Sequence, residues 1–234
     1  MSQQRRPSRD RTTAKRSDPR ERLLKAAVDV FGRYGFDGAS TRMLADAAGV
    51  NLQAIPYYFG GKEGLYIAAA EHIGTLISAH VTELREMVHG RLQEADLEGR
   101  GIETAEARQL LTRIAHTMAA LFVSDESEPW ARFLIREQME PTEAFERVYE
   151  GVMKPMLEVT GRLVGIIIGE DPDTNHVKLR TITLLGGVMV FRMARAAVLA
   201  QLGWAGFGKS EAEEIRAIAA ELVASLHREA RHET

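Results

Sequence analysis

Apolar residues recur along nearly the whole chain at spacings of three and four, the period of helices that bury one face. The first run starts at Asp18-Pro19-Arg20-Glu21, where Asp18 can cap, Pro19 suits the first helical position and Glu21 completes a capping box. Leu24, Ala27, Val28, Phe31 and Tyr34 follow on one face, and Gly35 supplies a left-handed stop. Ser40 caps a short second helix that turns Leu44, Ala45 and Ala48 inward and ends at Gly49. Asn51 caps a third, with Ile55 and Phe59 on one side. Gly60-Gly61 then breaks the chain. Lys62 opens a long fourth helix striped by Leu65, Ala69, His72 or Ile73, Leu76, and Ile77 or His80.

The same period predicts helices at 104–123, 128–139, 142–168, 174–203 and 210–231. Pro155 should kink the one it interrupts. The segment 174–203 is apolar on two sides: Ile182, Leu185, Met189, Met193 and Ala196 on one, Leu184, Val188, Phe191, Val198 and Leu202 on the other. A helix apolar all round is covered on both sides, here by the core and by a second subunit, with a purely intrachain core as the alternative. Gly186-Gly187 would admit a second helix closely. The last helix carries a capping box, Ser210 to Glu213, and a stripe of Ile215, Ile218, Ala219, Leu222 and Leu226. Two such helices from each subunit form a two-fold four-helix interface. No segment alternates as a strand does, so the fold class is all-α.

Composition narrows the function. Of 234 residues 45% are hydrophobic and 27% charged, a globular profile. The absence of cysteine excludes a disulfide scaffold, a thiolate metal site and a cysteine nucleophile. The longest apolar stretch, Thr181 to Gln201, is interrupted by Arg192 and Arg195, so no membrane-spanning helix is expected; the polar N-terminus does not read as a secretory signal, and a cytoplasmic address follows. Charge is divided: residues 1–62 hold 12 Lys and Arg against 6 Asp and Glu, and the remainder holds 18 against 27. A basic module facing a polyanion is thus joined to an acidic body. Residues 1–17 read as a disordered basic tail.

Three short helices, the last two joined by a tight glycine turn, make a helix-turn-helix unit. Phe31, Gly35, Phe36, Ser40-Thr41-Arg42, Leu44-Ala45, Ala48-Gly49-Val50, Ile55, Tyr58-Phe59, Lys62-Glu63 and Leu65 resemble the DNA-binding region of TetR-family repressors over about residues 20–66. The stretch from Asn51 to Leu65 is similar to that of the CecR-like subgroup. Arg136-Glu137 before Pro141, and Arg192 to Ala197 before Leu202-Gly203-Trp204, support this. The resemblance implies an all-helical homodimeric regulator with no cofactor: residues 18–62 bind operator DNA, and residues 63–234 bind a small molecule and dimerise. Ligand binding then releases the DNA.

The residues themselves point the same way. Leu52, Gln53 and Ala54 give the third helix a thin leading end for a major groove about 12 Å wide, where Gln53 suits an adenine edge and Leu52 or Ala54 a thymine methyl. Tyr57 and Tyr58 can reach phosphates or bases, Lys62 adds a charge and a free N–H for a phosphate, and Thr41 and Arg42 begin the helix that crosses the backbone. One position departs from the family: residue 56 is Pro where Tyr is usual. Pro56 removes a bond back to Leu52 and a phosphate-binding phenol, and should tighten or re-aim the local helix.

In the acidic body His116, Phe122, Trp130, Phe133, Met139, Tyr149, Met153, Met156, Met189 and Arg192 are candidates for a Met-rich, aromatic pocket holding a small, mostly apolar effector, each with simple core packing as its alternative. Arg192, inside an apolar run, must meet a carboxylate such as Glu137, rim the pocket or face the partner subunit. No metal-spaced cluster, glycine-rich phosphate loop or nucleophile elbow supports an enzyme. A dimer that binds DNA without an effector is the closer rival.

Overall fold

A computed structural model describes residues 18–227. The basic segment 1–17 and the stretch 228–234, with the expected end of the last helix at 231, lie outside the described residues. The described residues form helices and no strands. α1 (Pro19–Gly38), α2 (Thr41–Ala48) and α3 (Ala54–Phe59) build an N-terminal unit. α4 (Lys62–Leu97) leaves it and runs into a body made of α5 (Thr104–Val123), α6 (Glu128–Met139), α7 (Glu143–Val148), α8 (Lys154–Ile168), α9 (Asn175–Met193), α10 (Arg195–Leu202) and α11 (Lys209–Ala224).

The N-terminal stop signals act as their chemistry dictates. Asp18 accepts the Arg20 N–H at 3.1 Å, while Glu21 pairs with Lys25 at 2.8 Å instead of closing a capping box. Gly35 sits at φ 72°, ψ 179°, outside any helical basin and reachable without strain only by glycine, and it ends the regular part of α1. Ser40 accepts the Met43 N–H at 3.1 Å, and Gly49 closes α2 in the left-handed region. Leu23, Ala27, Phe31, Leu44 and Ile55 are fully buried between these helices.

In the body, α5 and α6 match their expected spans. Three segments differ. The expected helix 142–168 is split by a π-turn, Tyr149–Met153, in which the Lys154 N–H reaches back to the Tyr149 carbonyl. Pro155 has no N–H to give and crowds the carbonyl four residues back, and the wider turn just ahead of it relieves both. The expected helix 174–203 is two helices bent by 76°. Ala194, at φ −104°, ψ 28°, makes the break. Neither half is long and apolar enough to cross a membrane, and the bent pair passes that test by length and composition only. The last helix starts at Lys209, where Glu211 rather than Glu213 reaches back, accepting the Gly208 N–H at 2.9 Å.

The two faces of α9 separate as the pattern required. Val177, Thr181, Leu184, Val188 and Arg192 are buried against the bundle. Leu179, Ile182, Met189, Val190 and Met193 are exposed on the other side. At Gly187 an added Cβ would lie 3.1 Å from the Leu222 side chain, so this glycine admits α11; nothing lies within 4 Å of the same position at Gly186.

Candidate nucleic-acid interface

The leading end of α3 is an unusual helix start. Asn51 accepts the Gln53 N–H at 2.9 Å through its side chain and the Ala54 N–H at 2.9 Å through its carbonyl. The Leu52 carbonyl accepts from Ile55 at 3.3 Å, three residues on, where Pro56 cannot supply the usual fourth-residue donor. The tightening expected from Pro56 is therefore present, and Leu52 and Gln53 lie in the turn before α3 rather than within it. Pro56 falls in the first turn, where a missing N–H costs least.

Only Ile55 of α3 is fully buried. Tyr57 is 80% exposed and Leu52 44%, with Gln53 and Tyr58 also exposed. The two tyrosine rings meet edge to face at 4.8 Å, so each props the other outward. Gln53, Ala54, Tyr57 and Tyr58 line one open concavity of about 790 Å³ together with Pro19 and Arg22 of α1. Thr41, half-buried, and Arg42, exposed, lie on the first turn of α2 and do not line it. The Lys62 ammonium sits over the Phe36 ring at 4.4 Å. A cation–π contact of this kind holds the charge beside the unit while leaving the opposite side of the ammonium for an anion.

Three participants escaped sequence reasoning. Arg22 donates to the Gly49 carbonyl at 3.1 Å and ties α1 to the turn between α2 and α3. Arg20 lies over the Phe59 ring at 5.5 Å. Gly64 is the third: a Cβ there would fall 1.9 Å from the Phe59 carbonyl oxygen, so α3 ends pressed against the first turn of α4. Glycine in the first turn of a long helix, where almost any other residue favours helix more, is the signal that could have found it.

A dense junction connects this unit to the body. Phe31, Phe36 and Phe133 surround the Tyr66 ring at centroid distances of 4.8, 5.2 and 4.8 Å. The Tyr66 hydroxyl donates to Glu137, and burial, then that bond, push its pKa well above the usual phenol value. The other Glu137 oxygen accepts from the Thr142 N–H at 3.1 Å, the Thr142 hydroxyl at 2.9 Å and the Phe145 N–H at 3.0 Å.

Arg192 accordingly has no pairing with Glu137, contrary to one expectation. It donates to the Phe122 carbonyl at 2.6 Å, to the Ser124 carbonyl and to the Ser127 hydroxyl at 2.8 Å, and so caps the C-terminus of α5. Burial pulls its pKa below the ordinary guanidinium value. The remaining effector candidates are spread out. Trp130 and Phe133 are buried on α6, Met156 on α8, and Phe122 is half-buried above the Arg192 cap. Tyr149 stacks on Phe145 at 5.7 Å, Met153 lies in the π-turn, and Met139 and Met189 are exposed. Only His116 among them lines a cleft between α4, α5 and α11.

Comparison with known proteins agrees with this architecture. Residues 23–69 match the bacterial regulatory proteins of the tetR family, and residues 107–229 match the C-terminal domain of the HTH-type transcriptional dual regulator CecR. The chain belongs to the TetR family of DNA-binding transcriptional regulators, which are not enzymes, and carries a CecR-type C-terminal domain. It is 32% identical over 203 residues to the HTH-type transcriptional dual regulator CecR of Shigella flexneri, across 87% of this chain and 88% of that one. Among solved structures, a TetR-like regulator from Rhodococcus sp. RHA1 is 19% identical with TM-score 0.57, across 88% of this chain and 93% of that one. FadR from Bacillus subtilis, crystallised with stearoyl-CoA, is 18% identical with TM-score 0.54, across 88% of this chain and 97% of that one. These two likenesses concern the fold.

Proposed function

We propose that this regulator is a cytoplasmic repressor that binds operator DNA as a homodimer and is released by a small-molecule effector. In this reading residues 18–62 bind DNA and residues 63–234 carry the effector site and the dimer interface. The observation that carries the DNA-reading part is the exposed, mutually propped pair Tyr57 and Tyr58 beside Gln53 on a helix that buries only Ile55. Gln53 reads a base edge, Leu52 or Ala54 touches a thymine methyl, Tyr57 and Tyr58 meet phosphate or base, and Thr41, Arg42 and Lys62 hold the backbone. The row Leu179, Ile182, Met189, Val190 and Met193 supports self-association, because an apolar row of this length is rarely left to water. The relative from Shigella flexneri is named a dual regulator. The repressor reading of this chain rests on its resemblance to repressors over residues 20–66.

Selection of bound sequences from random DNA at fixed salt tests the reading. A two-fold site should emerge, and Gln53→Ala should relax preference at one base pair per half-site at a cost of about 1–3 kcal/mol. Lys62→Ala should weaken all sequences alike and flatten the salt dependence by about one unit per half-site. Ile182→Glu, on an exposed position, should yield monomers in sedimentation without loss of helicity. An unchanged ratio of specific to random binding in Gln53→Ala would remove that residue from base reading.

A further inference from the structure

We propose that the cleft between α4, α5 and α11 binds a small organic carboxylate; this deepens the effector-responsive reading and rests on it. The cleft measures about 350 Å³, at the lower end of the range for small-molecule sites. Its chemistry differs from the apolar pocket that the sequence suggested. Three nitrogen-bearing side chains from three helices converge on it: His80 of α4, His116 of α5 and Arg216 of α11.

None of the three is fully used by the fold. Arg216 has no ion-pair or hydrogen-bond partner among the described residues. The His116 Nε2 is withdrawn from solvent and has no hydrogen-bond partner. A buried polar atom in that condition is uncommon in a native fold and calls for an explanation. His80 donates through Nδ1 to the Leu76 carbonyl at 2.8 Å, the tautomer being fixed by that partner, so Nε2 is the atom left for the cleft. It faces Glu126 on the lip at 3.8 Å, too far for a hydrogen bond. A planar carboxylate takes two parallel N–H bonds from a guanidinium and fits Arg216. A small movement of the His116 ring lets its Nε2–H donate to the carboxylate, and the His80 Nε2 donates in place of its Glu126 contact when that ring carries a second proton, since Nδ1–H is already given to Leu76. Ala120 and Leu121 supply an apolar wall. That wall favours an organic anion over inorganic phosphate.

The floor of the cleft is fixed from behind. Ser124 lines it, and the Ser124 carbonyl is one of the acceptors that Arg192 holds. Arg192 is a positioning residue here: it sets the end of α5 and does not reach the ligand. The cleft also has the right connection to the DNA-reading unit. His80 and Lys62 lie on one continuous helix, eighteen residues and so roughly 27 Å apart. A carboxylate held by both His80 and Arg216 ties α4 to α11, and the tie exists only in the conformation that brings them together. That is the differential contact an effector needs in order to shift the equilibrium between DNA-competent and released forms.

Calorimetry on the full-length protein tests the proposal with benzoate, phenylacetate and hexanoate, each paired with its primary amide, and with inorganic phosphate. Wild type, Arg216→Gln and His116→Leu are compared, with melting curves on every sample. At least one carboxylate should bind wild type, with its amide at least tenfold weaker and phosphate silent. Arg216→Gln should lower that affinity at least tenfold at an unchanged melting temperature, and His116→Leu should lower it several-fold. The site is overturned if no carboxylate binds, if amide or phosphate binds as well as the acid, or if Arg216→Gln leaves affinity unchanged. Operator binding on the same samples separates the two levels. Release of DNA by a compound indifferent to Arg216→Gln removes this site and keeps the effector reading. Carboxylate binding through Arg216 with no change in operator affinity keeps the site and removes the effector reading.

Discussion

α4 passes through two surroundings of opposite character. Around Tyr66 four donors converge on the Glu137 carboxylate, which is 1% exposed, and three aromatic rings close over the phenol. Around His80 the helix borders an open cleft in which the buried His116 Nε2 has no hydrogen-bond partner and the exposed Arg216 makes no ion pair, although Glu126 lines the same cleft. A satisfied buried network rigidifies, whereas an unsatisfied one is a standing cost. The first surrounding packs α1, α4 and α6 together where the N-terminal unit meets the body. The second is the cleft in which we propose a carboxylate binds.

Substitutions should break this contrast in a definite order. Glu137→Ala leaves the buried Tyr66 hydroxyl without its acceptor and removes the bond to the Thr142 N–H, while the Phe145 N–H keeps the Thr142 carbonyl at 3.1 Å; it should cost about 2–4 kcal/mol in denaturant unfolding. Glu137→Gln keeps one accepting oxygen and should recover most of that loss. Next comes Gly64→Ala. The added carbon must move more than an ångström from the Phe59 carbonyl, so a stability loss of about 1–3 kcal/mol is expected. Operator affinity should fall more than tenfold in a binding titration because α3 shifts bodily. At the open end the sign changes: His116→Leu removes an unpaired polar atom and should leave stability unchanged or raise it by up to about 1 kcal/mol.

The smallest effect is a pH dependence. Burial, then the positive Lys25, lowers the pKa of His72 below 6.5. The unfolded chain therefore binds a proton over a window just below pH 6.5 in which the folded chain does not. Stability rises with pH through that window, is complete above it and declines as pH falls. His72→Gln should flatten that part of the melting-temperature profile.

How much of this was legible in the sequence depended on the range of the cause. Caps and stops set by one or two residues, such as Ser40, Gly35 and Gly49, could be read directly, and so could the tightening at Pro56. The two-sided pattern of α9 announced its buried and exposed rows. The break at Ala194 was invisible, because alanine is the strongest helix former and nothing local opposes continuation. Arg192 was recognised as a charge needing a partner, but its partners are two carbonyls and the Ser127 hydroxyl near a helix end about seventy residues away, and a carbonyl carries no sequence signature. The convergence of His80, His116 and Arg216 depends on how three helices pack, which spacing along one helix does not encode. The Met and aromatic positions divide for a related reason: Trp130 and Phe133 are buried, while Met139 and Met189 are exposed, and spacing alone does not separate them.

Gly64 divides the DNA-reading unit into a part that evolution can rewrite and a part it cannot. Every replacement at this position adds at least one carbon where the Phe59 carbonyl already stands, so there is no conservative neighbour through which to drift. Leu52, Gln53, Tyr57 and Tyr58 bear no such restriction, since their side chains end in solvent. If these side chains read DNA as proposed, new operator preferences are open to this lineage by exchanging them one at a time, on a helix whose exit angle stays inherited.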